Sequence, residues 1–348
     1  MRTNIFSFPH GQGERKEVFP LLMMALAILA AANIVWGSVS IPAATVWHIL
    51  CGNEVPDHPA WHFIVWENRI PQMVTALLCG AALSTCGLLL QTAFRNPLAG
   101  PSILGIDAGA NLGVAIVMLC MGGGVSVGGM AVGGFMLVIV AAMAGALGIM
   151  ALLLVLSRWL HSAVMLLITG VIISHLTSAV ISLLNYSATE EGVHSFVMWG
   201  MGTFSGVSTD RLPLFSALCA TGLGLSLMLV KPLNALLLGD RYAASLGIRI
   251  HATRNLLLCC TGLLTATTTA FCGPISFLGL AVPHLARMTM GTSNHRSLMP
   301  ACMLTGACLT LLCNLLCTLP SDGTLLPINV ITPLIGAPVI LYVILHRK

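Results

Sequence analysis

Charge is what this 348-residue chain lacks: only 7% of its residues are Asp, Glu, Lys or Arg, against roughly a quarter in a soluble domain. That excludes a water-soluble globule. Strands that alternate apolar with polar residues are missing too, and unbroken runs such as LMLLITGVIISHLTSAVISLL stand in their place, so a membrane β-barrel is excluded. No HExxH or P-loop string occurs, and no CxxC pair. The twelve cysteines lie almost entirely inside apolar runs, without a Cys/His spacing that would suit zinc, and read as small apolar packing residues. No metal site, no cofactor, no nucleic-acid partner and no catalytic residue is expected. Any energy from ATP must therefore arrive through another chain.

What is present is apolar surface: 57% hydrophobic residues, 35 glycines and a mean hydropathy of +0.95. A spanning helix takes about 20 such residues, and the polar and Gly/Pro breaks leave ten candidates. They lie near 20–39, 70–92, 104–121, 133–156, 163–185, 211–230, 255–272, 275–291, 298–317 and 327–345. The expected fold class is all-α, a polytopic membrane protein of about ten transmembrane helices in contact with lipid. An even number of spans puts both termini on one side. Thirteen of the fifteen lysines and arginines then share that side, and only Arg69 and Arg211 fall opposite. Cytoplasmic loops carry such an excess, so both termini are expected in the cytoplasm of a bacterial inner membrane. Residues 1–18 read as a polar cytoplasmic lead and 19–348 as one transmembrane domain.

Two outer segments stand out. The stretch 40–68 is the longest outer loop, with Trp47, Trp61 and Trp66 suited to the membrane interface, and 186–210 is expected to hold a short interfacial helix. On the inner side the stretch 231–254 is too regularly polar to span, and Gly239 and Gly247 divide it into two short helical pieces. GPSILGI (Gly100–Ile106) and GPISFLGL (Gly273–Leu280) share a Gly-Pro start, an apolar stretch and a glycine. They precede spans of opposite direction, the mark of an inverted repeat.

Within the spans, Gly105, Gly109 and Gly113, with Ala141 and Gly145, have the four-residue spacing that lets helix backbones approach. Asp107 reads as a helix-start residue near the inner loop. His175 sits mid-span beside Thr177 and Ser178, and an intramembrane histidine must face protein or a water-filled cavity. His284 and Arg287 read as packing groups at a helix end.

Four strings carry a resemblance: RIPQMVTALLCGAALSTCGLLLQTAFRNPLAGPSILGIDAGANLG, LNALLLGDRYAASLGI, GPISFLGLAVPHLARMTMGTSNHRSLMPACMLTGA and LPINVITPLIGAPVILYV. From about Arg69 onward the chain resembles the FecCD permeases of type II ABC importers, which serve iron–siderophore, haem and vitamin B12 uptake. The resemblance implies a permease working as a homodimer with a second copy of itself, with two ATP-binding subunits below and an extracytoplasmic substrate-binding protein above. It makes Leu238, Gly239, Asp240, Ala244, Leu246 and Gly247 the coupling element to the ATPase. It places His175, Thr177 and Ser178 along the translocation path and Arg69 at the docking face for the binding protein. Three positions depart from the family pattern: Gln72 where a second arginine is usual, Asn314 and Thr318 in an Asp-x-x-x-Arg string, and Asn329 in place of a glycine. The implied function is import of an iron–siderophore complex by alternating access, with haem and vitamin B12 as alternatives. The rival from another class is a proton-coupled transporter acting alone, with His175 and Asp107 as its relay.

Overall fold

The computed structural model describes residues 17–53, 55–56, 58–120, 125–127, 130–132, 134–160, 163–319 and 325–345. Most of the N-terminal lead, the C-terminal cations Arg347 and Lys348 and the loop acids Glu54, Asp57 and Asp322 lie outside those residues. Each of the ten sequence-derived spans falls on a helix: α1 (Val18–Val35), α4 (Ile70–Ala93), α5 (Ile106–Ala115), α6 (Gly134–Leu156), α7 (Ala163–Ser187), α9 (Leu212–Met228), α12 (Ile250–Cys272), α13 (Leu278–Met290), α14 (His295–Cys317) and α15 (Ile328–Leu345). Five shorter helices connect them: α2 (Ala43–Leu50), α3 (Pro59–Phe63), α8 (Glu190–Gly200), α10 (Val230–Leu237) and α11 (Asp240–Ser245). A hairpin of two three-residue strands, Val125–Val127 and Met130–Val132, precedes α6. α8 is the short helix expected within 186–210, and the Thr189 hydroxyl caps it by accepting from the Gly192 N–H.

Among the described residues six helices are long and apolar enough to cross a membrane, and the pair α9–α10, bent by 49°, makes a seventh. α5, α13 and α15 complete the ten. Two boundaries differ from expectation. The predicted second span begins at Pro59 instead of 70, because α3 runs through a π-helical stretch, Ile64–Arg69, straight into α4. The polar Glu67-Asn68-Arg69 string that reads as loop is thus inside a helix, and Pro59 occupies its first turn, where a missing N–H costs nothing. The inner loop also ends early: α12 starts at Ile250, so Arg254 is its fifth residue rather than loop.

The interior forms around α4 and α12, whose spanning windows are each 78% buried, while α1 is 6% buried and packs on α14 from outside. Lipid supplies no hydrophobic push between helices, so close backbone approach does the work. A Cβ on Gly87 would strike the carbonyl of Gly279 on α13, and one on Gly80 would strike the carbonyl of Gly306 on α14. The repeated small residues act as expected on the next layer. Gly109 and Gly113 of α5 lie on Gly145 and Ala141 of α6, and Gly105 meets Gly170 and Ser174 of α7.

The two ends of the bundle are fastened differently. At the end rich in arginine, here the basic end, Arg95 pairs with Asp240 and Ser157 donates to Asn255. At the opposite end the fasteners are neutral amides. Gln72 donates to Asn314 Oδ1 at 3.0 Å, Asn314 donates to Asn33 Oδ1 at 2.7 Å, and Asn33 donates to the Leu311 carbonyl at 3.1 Å, joining α4, α14 and α1. Asn329, at the start of α15, accepts from the Ser276 N–H at 3.1 Å and donates to the carbonyls of Gly200 (3.1 Å) and Pro274 (2.5 Å).

Candidate functional site

At the basic end a platform grows from the sequence Lys231–Arg249. Gly239, with φ +120°, ends α10 and starts α11, and Gly247, with φ +80°, ends α11; a side chain at either position would be strained. The platform is pinned from below by Ala243, which is buried against Ala235, Leu236 and Ile248. Arg95, in the turn after α4, donates from Nη2 to Asp240 Oδ1 at 2.8 Å and to the Leu236 carbonyl at 3.2 Å. Arg254 approaches the other Asp240 oxygen at 3.9 Å. Asn234 completes the anchorage. Its amide donates to Asn294 Oδ1, and its Oδ1 accepts from the His295 backbone N–H at 2.8 Å and from Nδ1–H of the His295 ring at 2.9 Å. That assignment leaves Nε2 to accept from the Thr92 hydroxyl at 2.8 Å. α10 and α11 are therefore tied to the ends of α4 and α14, the same helices that meet backbone to backbone deeper in the bundle.

What the platform shows to solvent is apolar. Leu238 is 67% exposed, Tyr242 50% and Leu246 58%, and Ala244 is exposed beside them. Three large apolar side chains, four residues apart in sequence, are thus exposed on one short segment, which also carries Lys231, Arg241 and Arg249. Of the six residues expected to couple, Leu238, Ala244 and Leu246 form the exposed face, and Gly239, Asp240 and Gly247 set its shape. Sequence reasoning missed Tyr242, although its spacing from Leu238 and Leu246 was the available signal.

The path residues do not act as a set. On α7, His175 and Ser178 are exposed in the single subunit, whereas Thr177 is buried and its hydroxyl donates to the carbonyls of Ile173 and Ser174. Successive helix residues point about 100° apart, so 175 and 177 lie on opposite faces, and the grouping of Thr177 with the path is corrected. Asp107 does start a helix, but its depth was misjudged: α5 begins beside the middle of α6, where Gly109 meets Gly145. Its carboxylate accepts from Ser102 Oγ at 2.8 Å and Thr269 Oγ1 at 2.9 Å. Among the described residues no hydrogen bond joins it to His175.

Arg69 was expected to present a charge outward. Instead it is 4% exposed, and its guanidinium donates to the carbonyls of Ile34 (2.8 Å), Val35 (2.7 Å) and Val39. The last carbonyls of α1 lack intrahelical partners, and a cation there satisfies them and the helix dipole together. The docking expectation is corrected accordingly: this arginine caps a helix and presents no free charge. Gln72 and Asn314, two departures from the family pattern, face each other across 3.0 Å. They line an opening of about 260 Å³ with Met198, Met201, Thr203 and Cys317.

The chain matches a known family. The model of the FecCD transport family aligns with residues 24–346. The chain belongs to the FecCD transport family. Its relatives include the hemin transport system permease protein HmuU of Yersinia pestis, 32% identical across 97% of this chain and 98% of the relative. The vitamin B12 import system permease protein BtuC of Citrobacter koseri is 37% identical across 82% of this chain and 83% of the relative. A solved structure titled as an inward-facing conformation of a putative metal-chelate type ABC transporter superposes with a TM-score of 0.81 at 31% identity, covering 95% of this chain and 99% of that one. This FecCD protein is accordingly the membrane permease of an ABC importer, a role that implies ATPase and substrate-binding partners.

Proposed function

We propose that this permease imports a bulky metal chelate across the bacterial inner membrane, with both termini in the cytoplasm and the basic end facing its ATPase. An iron–siderophore complex is the cargo the sequence reading put first. Haem and cobalamin, the cargoes named for its relatives, are the alternatives. Two copies would enclose the path along α7, with His175 and Ser178 facing it, two ATP-binding subunits below and an extracytoplasmic binding protein above. ATP-driven closure of the subunits below moves the platform and, through α4 and α14, the membrane helices; cargo binding must differ between the two states for that motion to do work.

The observation that carries this reading is the exposed Leu238–Tyr242–Leu246 segment on a platform bonded to two core helices. Exposed apolar side chains on short helices, with cations on the same segment, are what a partner's groove accepts. The test is co-purification with the ATP-binding subunit, followed by uptake of labelled ferric siderophore, haemin and cobalamin into proteoliposomes. Leu246→Asp is expected to abolish capture of the ATPase while the permease inserts and melts normally. Full uptake by that variant would remove the platform from the mechanism. Uptake driven by a proton gradient without ATP would favour the secondary-transporter reading.

A further inference from the structure

The two Gly-Pro strings that resemble each other in sequence meet in space. Residues 100–105, which hold a 3-10 turn at Pro101–Leu104, and the non-helical 273–277 are the elbows that lead into α5 and α13, and they face one cavity of about 250 Å³ backed by Leu83. From the serine onward their residues correspond, after one extra residue, Ile275, in the second string. Ser102 and Ser276 are exposed, Ile103 and Phe277 follow, and Leu104 and Leu278 come next, both buried. Leu83 lies midway along α4, and Gly87 touches Gly279, so the elbows sit near mid-depth of the bundle.

Irregular backbone at that depth cannot face lipid, because its polar groups would go unsatisfied; it occurs where it is buried in protein or lines a water-filled cavity. Here the serines and Phe277 are not buried. Phe277 is 37% exposed, between α7, whose Gly170 lies against the Ile103 carbonyl, and α15, whose Gly336 lies against the Phe277 ring. Phe277 also holds φ +67°, a conformation unusual for a bulky residue and found where surrounding structure imposes it. The restraint is visible: Asn329 Oδ1 holds the Ser276 N–H, and the Phe277 carbonyl accepts from the Ala281 N–H at 2.8 Å. The fold thus fixes an aromatic ring at the mouth of a half-depth cavity. Beside it is the Ser276 hydroxyl, which has no partner among the described residues.

We infer that the paired elbows Ser102–Ile103 and Ser276–Phe277 form the wall that touches cargo at mid-path, and that Phe277 is a residue that sorts chelates by shape. The inference rests on the permease reading above. The cavity is smaller than the roughly 300 to 1,000 Å³ of clefts that enclose a drug-sized ligand. It therefore receives one apolar edge of a chelate, with the Ser276 hydroxyl donating to a carbonyl or carboxylate group on the rim, while the rest of the cargo stays in the central path.

The experiment uses the full complex of permease, ATPase and binding protein in proteoliposomes, with labelled haemin, cobalamin and a ferric hydroxamate as probes. Phe277→Gly removes the ring and suits the positive φ, so assembly and melting temperature should hold. The ratio of uptake rates between chelates should shift by roughly tenfold, the low end of what one apolar contact does to selectivity. Separately, Ser276→Cys should react with a membrane-impermeant maleimide in at least one nucleotide state, read by peptide mass spectrometry so that native cysteines are distinguished. Unchanged rates and ratios in Phe277→Gly alongside an active unsubstituted complex would overturn the sorting role and leave the permease reading standing. If the unsubstituted complex carries none of the three probes, the cargo reading fails instead. The maleimide arm still decides the wall, because absence of reaction in every state would bury the elbow between helices.

Discussion

The two ends of the bundle solve the same problem, holding helix termini together, with opposite chemistry. At the basic end an arginine–aspartate pair joins α11 to the turn after α4, half exposed to water and able to exchange its partners. At the other end the Gln72–Asn314–Asn33 chain is neutral and largely buried. The difference matches what each end must do. An ion pair in water is weak and breaks at little cost, which suits a surface that another protein must move. A buried carboxamide chain leaves unsatisfied groups when broken, which suits a permanent fastening.

The sharpest way to break this comparison is to charge the neutral end. Asn314→Asp places a carboxylate beside the Gln72 and Asn33 amides, where the neighbouring Arg69 is already engaged by the α1 carbonyls, and unpaired buried charges cost about 3 to 5 kcal/mol. A large fall in melting temperature in detergent is expected. Adding Gln72→Arg should recover most of it, and a double-mutant cycle without coupling would show that the two residues are not a matched pair. A smaller effect is expected from Asn329→Ala. It orphans the Ser276 N–H and two carbonyls, but Ser276 is exposed and water replaces part of the loss, leaving a net cost of about 1 to 3 kcal/mol. Because Ser276 borders the elbow, amide exchange should rise around residues 273–277 and leave α1 unchanged; a uniform rise would point to global loosening.

The basic end should respond least to loss of its ion pair. Asp240→Asn is expected to lower stability by only about 0.2 to 1 kcal/mol, as exposed pairs do, and to reduce ATP-coupled uptake far more than it reduces stability. Equal losses in both would make Asp240 a structural residue alone. Salt sharpens the contrast: raising ionic strength from 0.1 to 1 M shortens screening from ~10 to ~3 Å. Melting of Asn314→Asp should therefore stay low while Asp240→Asn and the unsubstituted chain converge.

Hydropathy made the spans legible because lipid leaves few alternatives to long apolar helices, and Gly239 and Gly247 marked the platform because only glycine suits those turns. What stayed hidden was anything that depends on where a polar residue's partner lies. Arg69 read as an outward charge, since the α1 carbonyls that bind it are some thirty residues away in sequence. Glu67-Asn68-Arg69 read as loop because a π-helical stretch leaves no compositional trace. Asp107 read as shallow because the elbow before it climbs half the bundle without looking like a helix. His175, Thr177 and Ser178 are adjacent in sequence, and only helix phase separates them. The likeness of the two Gly-Pro strings was visible, but their meeting at one cavity required the fold.

Where α4 touches α13 and α14, glycine backbones meet with only small side chains such as Ser84 and Thr310 beside them, and little is left that could change rotamer and lubricate sliding. These three helices are therefore expected to move as one body when the platform is pushed. The elbow at Gly105 is locked to α7 in the same way, through Gly170 and the Ile103 carbonyl, so α7 is expected to follow the elbow.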